Sequence, residues 1–359
     1  MKMYRGWQWP VVMIFALMVC FACCKTKKKA VENGVKAPDS LLAIDSTNVD
    51  SVLADTIDMA EAEHPLRIGV VWRRDMSSST FVGVLMALRE AGVEPVVIGP
   101  VKDPFLPYRG DRLSNLCLDN HGILRQSYAN RVKRDSERDI GLADTLAGIA
   151  GMVFPGGEDM SPTLFRVPEP WHGIESELYY DSTRDVSDYL LMRWCLDHDI
   201  PSLCICRGMQ VLCILSDVPM IQDIAQYYRL QGKRYNHVHR GLVNGRRRFS
   251  RHDVEITDTA SLLYKIAGSK IVKNAPSWHH QAARPVLGDN LKLTAFTTTN
   301  GIRIVEGVER SDKKFFLGVQ WHPEIAVRKS LEGASDADEF MSYDEGMKYF
   351  EALVEACRK

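Results

Sequence analysis

The chain of 359 residues lacks a strong net charge, because 45 Lys and Arg residues face 46 Asp and Glu residues. A chain without an excess of positive charge has no general electrostatic reason to bind nucleic acid, and we expect no such partner. The chain also lacks an N-terminal apolar run of the roughly 20 residues that cross a bilayer, since the apolar run extends only from Val11 to Cys24. Apolar residues nevertheless make up 45% of the chain, which is enough for a substantial core.

The N-terminus is predicted to be a processing signal rather than part of the fold. Lys2 and Arg5 precede the apolar run, in the order of a secretory signal peptide. The run ends in Ala22-Cys23, and a small residue followed by cysteine at this point resembles a bacterial lipoprotein cleavage site. We therefore predict a signal peptide over residues 1–22 and lipid attachment at Cys23, with Cys24 or Cys20 as alternatives and an uncleaved signal anchor as another interpretation.

Residues 23–64 are predicted to form a disordered tether. From Asp39 to Glu63 the chain carries seven acids and no Lys or Arg, and it has few aromatic residues to bury. The globular domain is accordingly predicted over residues 65–359. We expect it to be exported and lipid-anchored to a bacterial membrane, facing the periplasm.

The first part of this domain alternates strand and helix patterns. Leu66–Trp72 and Glu94–Ile98 are predicted strands, with a helix over Phe81–Ala91 between them. Gly151–Phe154 and Ser202–Ile205 are two further short apolar runs. This order favours an α/β fold with a mostly parallel, doubly wound sheet.

The remaining segments are less regular. Residues 101–138 are polar and aperiodic, and we interpret them as a binding loop or an insertion. Leu291–Thr297, Ile302–Glu306 and Phe315–Gln320 are predicted strands close enough in sequence to form a small antiparallel meander, and Asp338–Ala356 is predicted to be the closing helix.

Cys206 is the candidate nucleophile. It lies where the predicted strand ends and an apolar helix begins at about Met209, and a helix N-terminus favours the thiolate. A sharp strand-to-helix turn needs small neighbours, which Gly208 and Cys204 provide. The alternative is a buried structural thiol, because cysteine is among the most buried residue types.

A thiol nucleophile also needs a base. His322 follows an apolar strand, is held by Pro323, and has Glu324 two residues later, which is expected to orient its ring from the same loop. These residues predict a Cys-His-Glu triad. The backbone N–H groups of Gly157 and Arg207 are the candidate donors to an oxyanion.

Several other histidines offer a competing metal site. No Cys-x-x-Cys or His-Glu-x-x-His pattern accompanies them, so we predict no metal and no cofactor. The histidines of this alternative are His237, His239, His252, His279 and His280.

A basic segment follows the predicted nucleophile. It has no acid after Asp223, and it is interpreted either as a solvated surface loop or as an electropositive lip that attracts an anionic substrate. Its cations are Arg229, Lys233, Arg234, Arg240, Arg246, Arg247, Arg248 and Arg251.

Five motifs occur in the order of one known family. They are Pro155-Gly-Gly-Glu-Asp-Met-Ser-Pro162, Arg184-Asp185, Cys206-Arg-Gly-Met-Gln210, His279-His-Gln281 and Gly318-Val-Gln-Trp-His-Pro-Glu324. Together they resemble the γ-glutamyl-hydrolase-like branch of the class I glutamine amidotransferase superfamily, which includes γ-glutamyl-γ-aminobutyrate hydrolases. The likeness covers about residues 66–359. The chain departs from it at Cys204, where Gly is usual, at Cys213 for Asn, at Asp188 for Glu, and across residues 216–220.

The resemblance implies a flavodoxin-like α/β domain with a small antiparallel addition. It also implies the reaction, a cysteine-dependent hydrolysis of a γ-glutamyl amide bond through a thioester. The implied residues are Cys206, His322 and Glu324 for the triad, Gly157 and Arg207 for the oxyanion, and Gln210, His280 and Gln281 for the substrate. The partner would be a small anionic γ-glutamyl compound. The alternatives are a non-catalytic binding protein on the same fold and, with less support, a glutaminase-type ammonia donor.

Overall fold

A computed structural model describes residues 65–138, 140–244 and 246–359. The predicted signal peptide, the lipid attachment at Cys23 and the predicted tether therefore lie outside the described residues. Those residues belong to one unit, His64–Lys359. Among the helices that the structure describes, none has both the length and the apolar character needed to cross a bilayer.

The elements are numbered here in chain order. The strands are β1 (Arg67–Val71), β2 (Glu94–Ile98), β3 (Tyr108–Arg109), β4 (Arg112–Leu113), β5 (Gly151–Phe154), β6 (Ser202–Ile205), β7 (Met220–Ile221), β8 (Gly241–Val243), β9 (Arg246–Arg248), β10 (Ser250–Ile256), β11 (Ile271–Ser277), β12 (Ala282–Ala283), β13 (Leu291–Thr299), β14 (Ile302–Arg310) and β15 (Phe316–Val319). The α-helices are α1 (Ser79–Glu90), α2 (Gln126–Asp135), α3 (Leu142–Thr145), α4 (Ser182–Asp197), α5 (Arg207–Leu215), α6 (Ile224–Leu230), α7 (Leu262–Ala267), α8 (Pro323–Leu331) and α9 (Tyr343–Arg358).

Nine strands form one sheet in the order β11-β10-β13-β14-β15-β6-β5-β1-β2. The half from β15 to β2 is parallel throughout, and the half from β11 to β15 is antiparallel. The predicted α/β class and the predicted meander are thus confirmed. The antiparallel strands continue the main sheet and do not form a separate one, because β15 pairs with β14 on one side and with β6 on the other.

The sheet is buried on both faces because side chains of its parallel strands alternate between two hydrophobic cores. Phe154 and Cys204 enter the core that includes residues of α2, α4 and α5. Val153 and Leu203 enter the opposite core, which includes residues of α1, α8 and α9. The carboxyl ends of β5 and β6 therefore meet at one edge of a doubly covered sheet, where α/β proteins place their ligands.

The segment 101–138 is more regular than its polar composition indicates. It contains the short strands β3 and β4 and the helix α2. Only Ala129, Val132 and Asp135 of α2 are buried, so this helix is polar overall and contributes few apolar residues to the core.

Three helix starts differ from prediction. Helix α5 begins at Arg207, directly after the nucleophile. The expectation that Glu324 shares a loop with His322 is wrong, because α8 begins at Pro323, a residue suited to a first helical position. Helix α9 begins at Tyr343 because Ser342 forms a capping box with Glu345.

Candidate active site

Cys206 lies on a sharp turn between β6 and α5. Its backbone angles are φ 50° and ψ −103°, a region that a non-glycine residue adopts only at a cost of about 1–3 kcal/mol. The turn is held in part by the Cys206 N–H, which donates to the Val319 carbonyl across 2.7 Å. The thiol is therefore fixed at the edge of the sheet, next to the first-turn N–H groups of α5, which have no acceptor within the helix.

Only glycine fits at position 208, on the helical side of this turn. A Cβ on Gly208 would overlap the carbonyl oxygen of Phe154, the last residue of β5. Cys204 is different, because it is fully buried in β6, where it pairs with Phe154 and Gly318 of the neighbouring strands. Burial raises the pKa of the Cys204 thiol well above its usual value, which keeps it protonated. Cys204 and Cys206 are both free thiols, and they belong to opposite cores.

His322 and Glu324 form a buried pair beside the thiol. Nδ1 of His322 donates to Oε1 of Glu324 across 2.7 Å, and the two side chains are 3% and 0% exposed. Burial lowers the pKa of His322, but the negative charges of Glu324 and of a Cys206 thiolate, with their hydrogen bonds, outweigh burial and raise it to about 10. An imidazole in this setting readily takes a proton from the thiol.

Gly156 fills the space between the nucleophile and the histidine. A Cβ at this position would lie 2.7 Å from Cε1 of His322 and 3.4 Å from Cβ of Cys206. The sequence analysis did not single out this glycine. Only the packing shows that it, in addition to Gly157, must lack a side chain.

Two buried arginines orient the Gly156–Gly157 peptide. Arg184 and Arg73 both donate to the Gly156 carbonyl, across 3.2 and 3.3 Å. Because a trans peptide is planar, the N–H of Gly157 points away from that carbonyl and so away from both guanidinium groups. Gly157 lies on the wall of the cavity beside Cys206. Its N–H can therefore serve as an oxyanion donor.

A network of buried ion pairs joins the loop of Gly156 and Gly157 to the turn that carries Cys206. Arg184 pairs with Glu158 at 2.7 Å and with Asp188 at 3.3 Å. Arg207 donates to Asp185 across 2.8 Å and also pairs with Asp188. Burial raises the pKa of Glu158, but the neighbouring arginines outweigh it and hold the pKa at about 2. The Arg207 side chain thus anchors the turn, while its backbone N–H remains at the start of α5.

A cavity of about 530 Å³ opens in front of Cys206. Six of the residues predicted for the site lie on its wall, and Arg207 and Glu324 are not among the lining residues. The six are Gly157, Cys206, Gln210, His280, Gln281 and His322.

The predicted substrate residues are themselves held in place. Nε2 of Gln210 donates to the Gln281 carbonyl across 3.2 Å. Nε2 of His280 lies 3.0 Å from Asp159, and Nδ1 lies 3.5 Å from Asp223. Burial lowers the pKa of His280, but Asp159 and Asp223 outweigh it and raise the pKa to about 9. The cavity wall therefore carries a cationic imidazole between two carboxylates.

The basic segment reaches the cavity mouth with part of its charge neutralised. Arg240 lines the cavity and pairs with Glu177 at 2.7 Å. Arg247 pairs with the same carboxylate, and Arg251 pairs with Glu339. The predicted electropositive lip is consequently weaker than a count of its cations indicates.

Three of the histidines that were considered as alternative metal ligands lie beside Glu306, a residue that the sequence did not indicate. His239, His252 and His279 converge on Glu306, a fully buried carboxylate on β14. His237 and His280 do not belong to this group. The available signal was an acid flanked by apolar residues, because Ile304 and Val305 precede Glu306 and Val308 follows it on the same strand.

A thiol on a strand-to-helix turn, a buried His–Glu pair beside it and a free backbone N–H opposite it can carry out acyl transfer. The fold and this site place the chain among α/β proteins with a candidate cysteine nucleophile. The chain belongs to the Peptidase C26 family, whose sequence model matches residues 134–324, more than half of the chain. This membership supports cysteine-dependent amide hydrolysis as the general activity.

Three curated relatives match about half of the chain or somewhat more, and two of them are named as putative glutamine amidotransferases. The chain is 34% identical over 175 residues to protein NtpR of Enterococcus hirae, covering 48% of this chain and 66% of that protein. It is 29% identical over 240 residues to the putative glutamine amidotransferase-like protein RP404 of Rickettsia prowazekii, covering 58% and 78%. It is 28% identical over 211 residues to the putative glutamine amidotransferase Rv2859c of Mycobacterium tuberculosis, covering 59% of this chain and only 56% of that protein.

Solved structures also align with the chain. The glutaminase domain of Trypanosoma brucei CTPS with bound acivicin aligns over 82% of this chain and 94% of its own, at 16% identity and a TM-score of 0.44. The structure of PurLQS from Thermotoga maritima aligns over 81% and 98%, at 15% identity and a TM-score of 0.44.

Proposed function

We propose that the protein hydrolyses a γ-glutamyl amide bond with Cys206 as nucleophile, His322 as general base and acid, and Glu324 as the group that orients His322. One observation carries the proposal. The buried His322–Glu324 pair lies beside a strained cysteine, and Cys206, His322 and Gly157 line the same cavity.

The reaction has two halves. The Cys206 thiolate attacks the γ-carbonyl carbon, a C–S bond forms, and the carbonyl electron pair moves to oxygen, where the N–H groups of Gly157 and Arg207 hold it. The carbonyl re-forms as the C–N bond breaks, and His322 gives the leaving nitrogen the proton it took from the thiol. Water then attacks the thioester, loses a proton to His322, and releases glutamate as the C–S bond breaks and the sulfur regains its proton.

The charges of the cavity suit a γ-glutamyl group. This group carries an α-carboxylate and an α-ammonium at one end and the reacting carbonyl at the other. Arg73 and Arg240 line the cavity as cations, and Asp159 and Glu177 line it as anions. Gln210 adds a fixed amide on the same wall. A site with both signs of charge favours a zwitterionic acyl group over a purely apolar one.

We also propose that the protein is exported and anchored by a lipid at Cys23, facing the periplasm. The N-terminal pattern supports this location, and the location favours a stand-alone hydrolase over an ammonia donor, because a synthase that consumes ATP is not expected there. Lipid labelling tests the anchor: it should be lost in Cys23→Ser and kept in Cys24→Ser, and the opposite result would move the anchor by one residue.

The decisive experiment for the reaction is a substrate panel with matched cysteine variants. The full-length chain is assayed with γ-glutamyl amines, γ-glutamyl peptides and glutamine, measuring released glutamate and amine. Cys206→Ala should abolish turnover and thioester formation, whereas Cys204→Ala, which changes a buried thiol outside the cavity, should retain turnover. The proposal fails if Cys206→Ala turns over the best substrate at the wild-type rate.

The same panel separates the alternatives. Turnover of glutamine alone, among all substrates, would favour a glutaminase-type ammonia donor, an activity consistent with the amidotransferase names of the relatives. Saturable binding of γ-glutamyl compounds without turnover, together with slow alkylation of Cys206 by iodoacetamide, would favour a binding protein.

A further inference from the structure

A second cluster of buried polar side chains adjoins the cavity, and one of its members, His279, also lines the cavity. It consists of His239, His252, His279 and Glu306, and we call it the His3Glu cluster. Each member comes from a different segment: the chain before β8, strand β10, the residue pair after β11, and strand β14. Their side chains are between 0% and 5% exposed. Four distant segments of the chain thus bring polar side-chain atoms together at one buried position.

The spacing of these atoms fits a metal centre. Oε1 of Glu306 lies 3.1 Å from Nδ1 of His239, 3.6 Å from Nε2 of His252 and 3.8 Å from Nε2 of His279. Ligand atoms about 2.0–2.2 Å from a tetrahedral zinc ion lie about 3.3–3.6 Å from one another. All four ligand atoms are within 4.8 Å of each other, so small side-chain movements bring the widest pair to that spacing.

Hydrogen bonding does not account for the cluster. Within the described residues, both ring nitrogens of His239, Nε2 of His252, Nε2 of His279 and both oxygens of Glu306 are buried without a hydrogen-bond partner. A buried polar atom without a partner costs about 1–3 kcal/mol. These six atoms include one potential ligand atom from each of the four side chains, and leaving those four buried without a partner is unfavourable unless a ligand satisfies them.

Hydrogen bonds outside the cluster prepare two of the histidines for a metal. Nδ1 of His279 donates to the Gln281 carbonyl across 2.8 Å, which leaves a bare lone pair on Nε2. Nδ1 of His252 lies 2.9 Å from the Thr297 hydroxyl. That hydroxyl donates to the Asp253 carbonyl and so accepts the Nδ1 hydrogen of His252. Metal-binding histidines are oriented in this way, by a partner on the other ring nitrogen.

We propose that His239, His252, His279 and Glu306 bind one divalent transition-metal ion, with Zn²⁺ as the ion that best matches three imidazoles and one carboxylate. Four protein ligands close a tetrahedral site, which is the pattern of a structural zinc and leaves no position for a substrate. The inference is independent of the proposed reaction, because it assigns the ion no step in that reaction.

The ion would stabilise the segment that forms one wall of the cavity. His279 directly precedes His280 and Gln281, and its ring also holds the Gln281 carbonyl that accepts from Gln210. The Trp278 carbonyl lies 3.9 Å from the thiol of Cys206. Fixing His279 would therefore fix the backbone on which the cavity wall depends.

The test uses the full-length chain, purified without a histidine tag, stripped with a chelator and then dialysed against Zn²⁺ or Co²⁺. Elemental analysis should find about one zinc per chain, as a closed four-ligand site requires. The Co²⁺ sample should show the intense visible bands of tetrahedral cobalt. His239→Ala and Glu306→Gln should lose the zinc and the bands, whereas the matched control His237→Ala should keep both.

A gentler variant keeps the test decisive if a ligand variant fails to fold. Thr297→Val removes only the outer hydrogen bond to His252, and it should weaken zinc binding about 10-fold to 100-fold with the far-UV spectrum unchanged. A wild-type chain that takes up no stoichiometric zinc or cobalt overturns the proposal, as does a Glu306→Gln chain that binds both ions as tightly as the wild type.

Discussion

Gly156 provides the sharpest test of the site, because its importance follows from packing and not from chemistry. Replacing it with alanine places a Cβ 2.7 Å from Cε1 of His322 and 3.4 Å from Cβ of Cys206. Carbon atoms in contact prefer separations of about 3.5–4.0 Å, so the imidazole must move by roughly 1 Å. The backbone at Gly156 has little freedom to retreat, since its carbonyl accepts from both Arg73 and Arg184.

The expected effect is a selective loss of turnover. A displacement of about 1 Å between reacting groups costs about 100-fold in rate, which corresponds to about 2.7 kcal/mol of activation free energy. Overpacking costs about 1–3 kcal/mol of folding stability, which a chain of this size can tolerate. Gly156→Ala should therefore fold, bind substrate, and show a kcat about 100-fold below that of the wild type.

The assay measures kcat and KM on the best substrate of the panel, with thermal unfolding of the same samples. Gly99→Ala is the matched control, because a Cβ there meets nothing within 4 Å, and it should leave both measurements unchanged. A Gly156→Ala enzyme with wild-type kcat would refute the geometric argument. So would a loss of activity that matches only a loss of folded protein.

Two further predictions concern charge. Glu324→Gln removes a carboxylate that raises the pKa of His322. The protonated form of His322 should therefore be less stable in the folded state. A raised pKa stabilises the fold fully below the ordinary value of 6.5, and that contribution is lost as the pH rises through about 10. The difference in unfolding free energy between wild type and Glu324→Gln should shrink across this window, and a constant difference would contradict the ion pair. If the basic segment attracts an anionic substrate, kcat/KM should fall with added salt and with neutralisation of Arg247 and Arg248. Insensitivity to both changes would favour the surface-loop interpretation.

The fold was largely predictable because its parallel half is buried on both faces. Strands of this kind are continuous apolar runs, and Ser202–Ile205 and Gly151–Phe154 have the same bounds in the sequence prediction and in the structure. Helix α2 was missed for the opposite reason, because a ten-residue helix with only two buried apolar side chains has few apolar residues to mark it. Helix α8 was missed because Pro323 was interpreted only as a restraint on His322 and not as the first residue of a helix.

Some residues of the candidate site were also predictable from the sequence, and others were not. Cys206, His322 and Glu324 could be proposed from residue type and short spacing, since a nucleophile, a base and an orienting acid each have a recognisable local context. Arg73 and Glu306 could not, because their roles depend on partners far away in the chain. Arg73 meets Glu158 across 85 residues, and no local pattern marks either residue as half of a pair.

The buried charge network explains how two separate loops keep one geometry. Arg184 holds the Pro155 and Gly156 carbonyls on the oxyanion side, and Arg207 begins the helix on the nucleophile side. Both guanidinium groups meet at Asp188, so this one carboxylate links the two loops. A displacement of either loop would leave a buried charge without its partner, which costs several kcal/mol. The distance between the thiol and the Gly157 N–H is therefore set by ion pairs beneath the cavity, and substrate need not organise it.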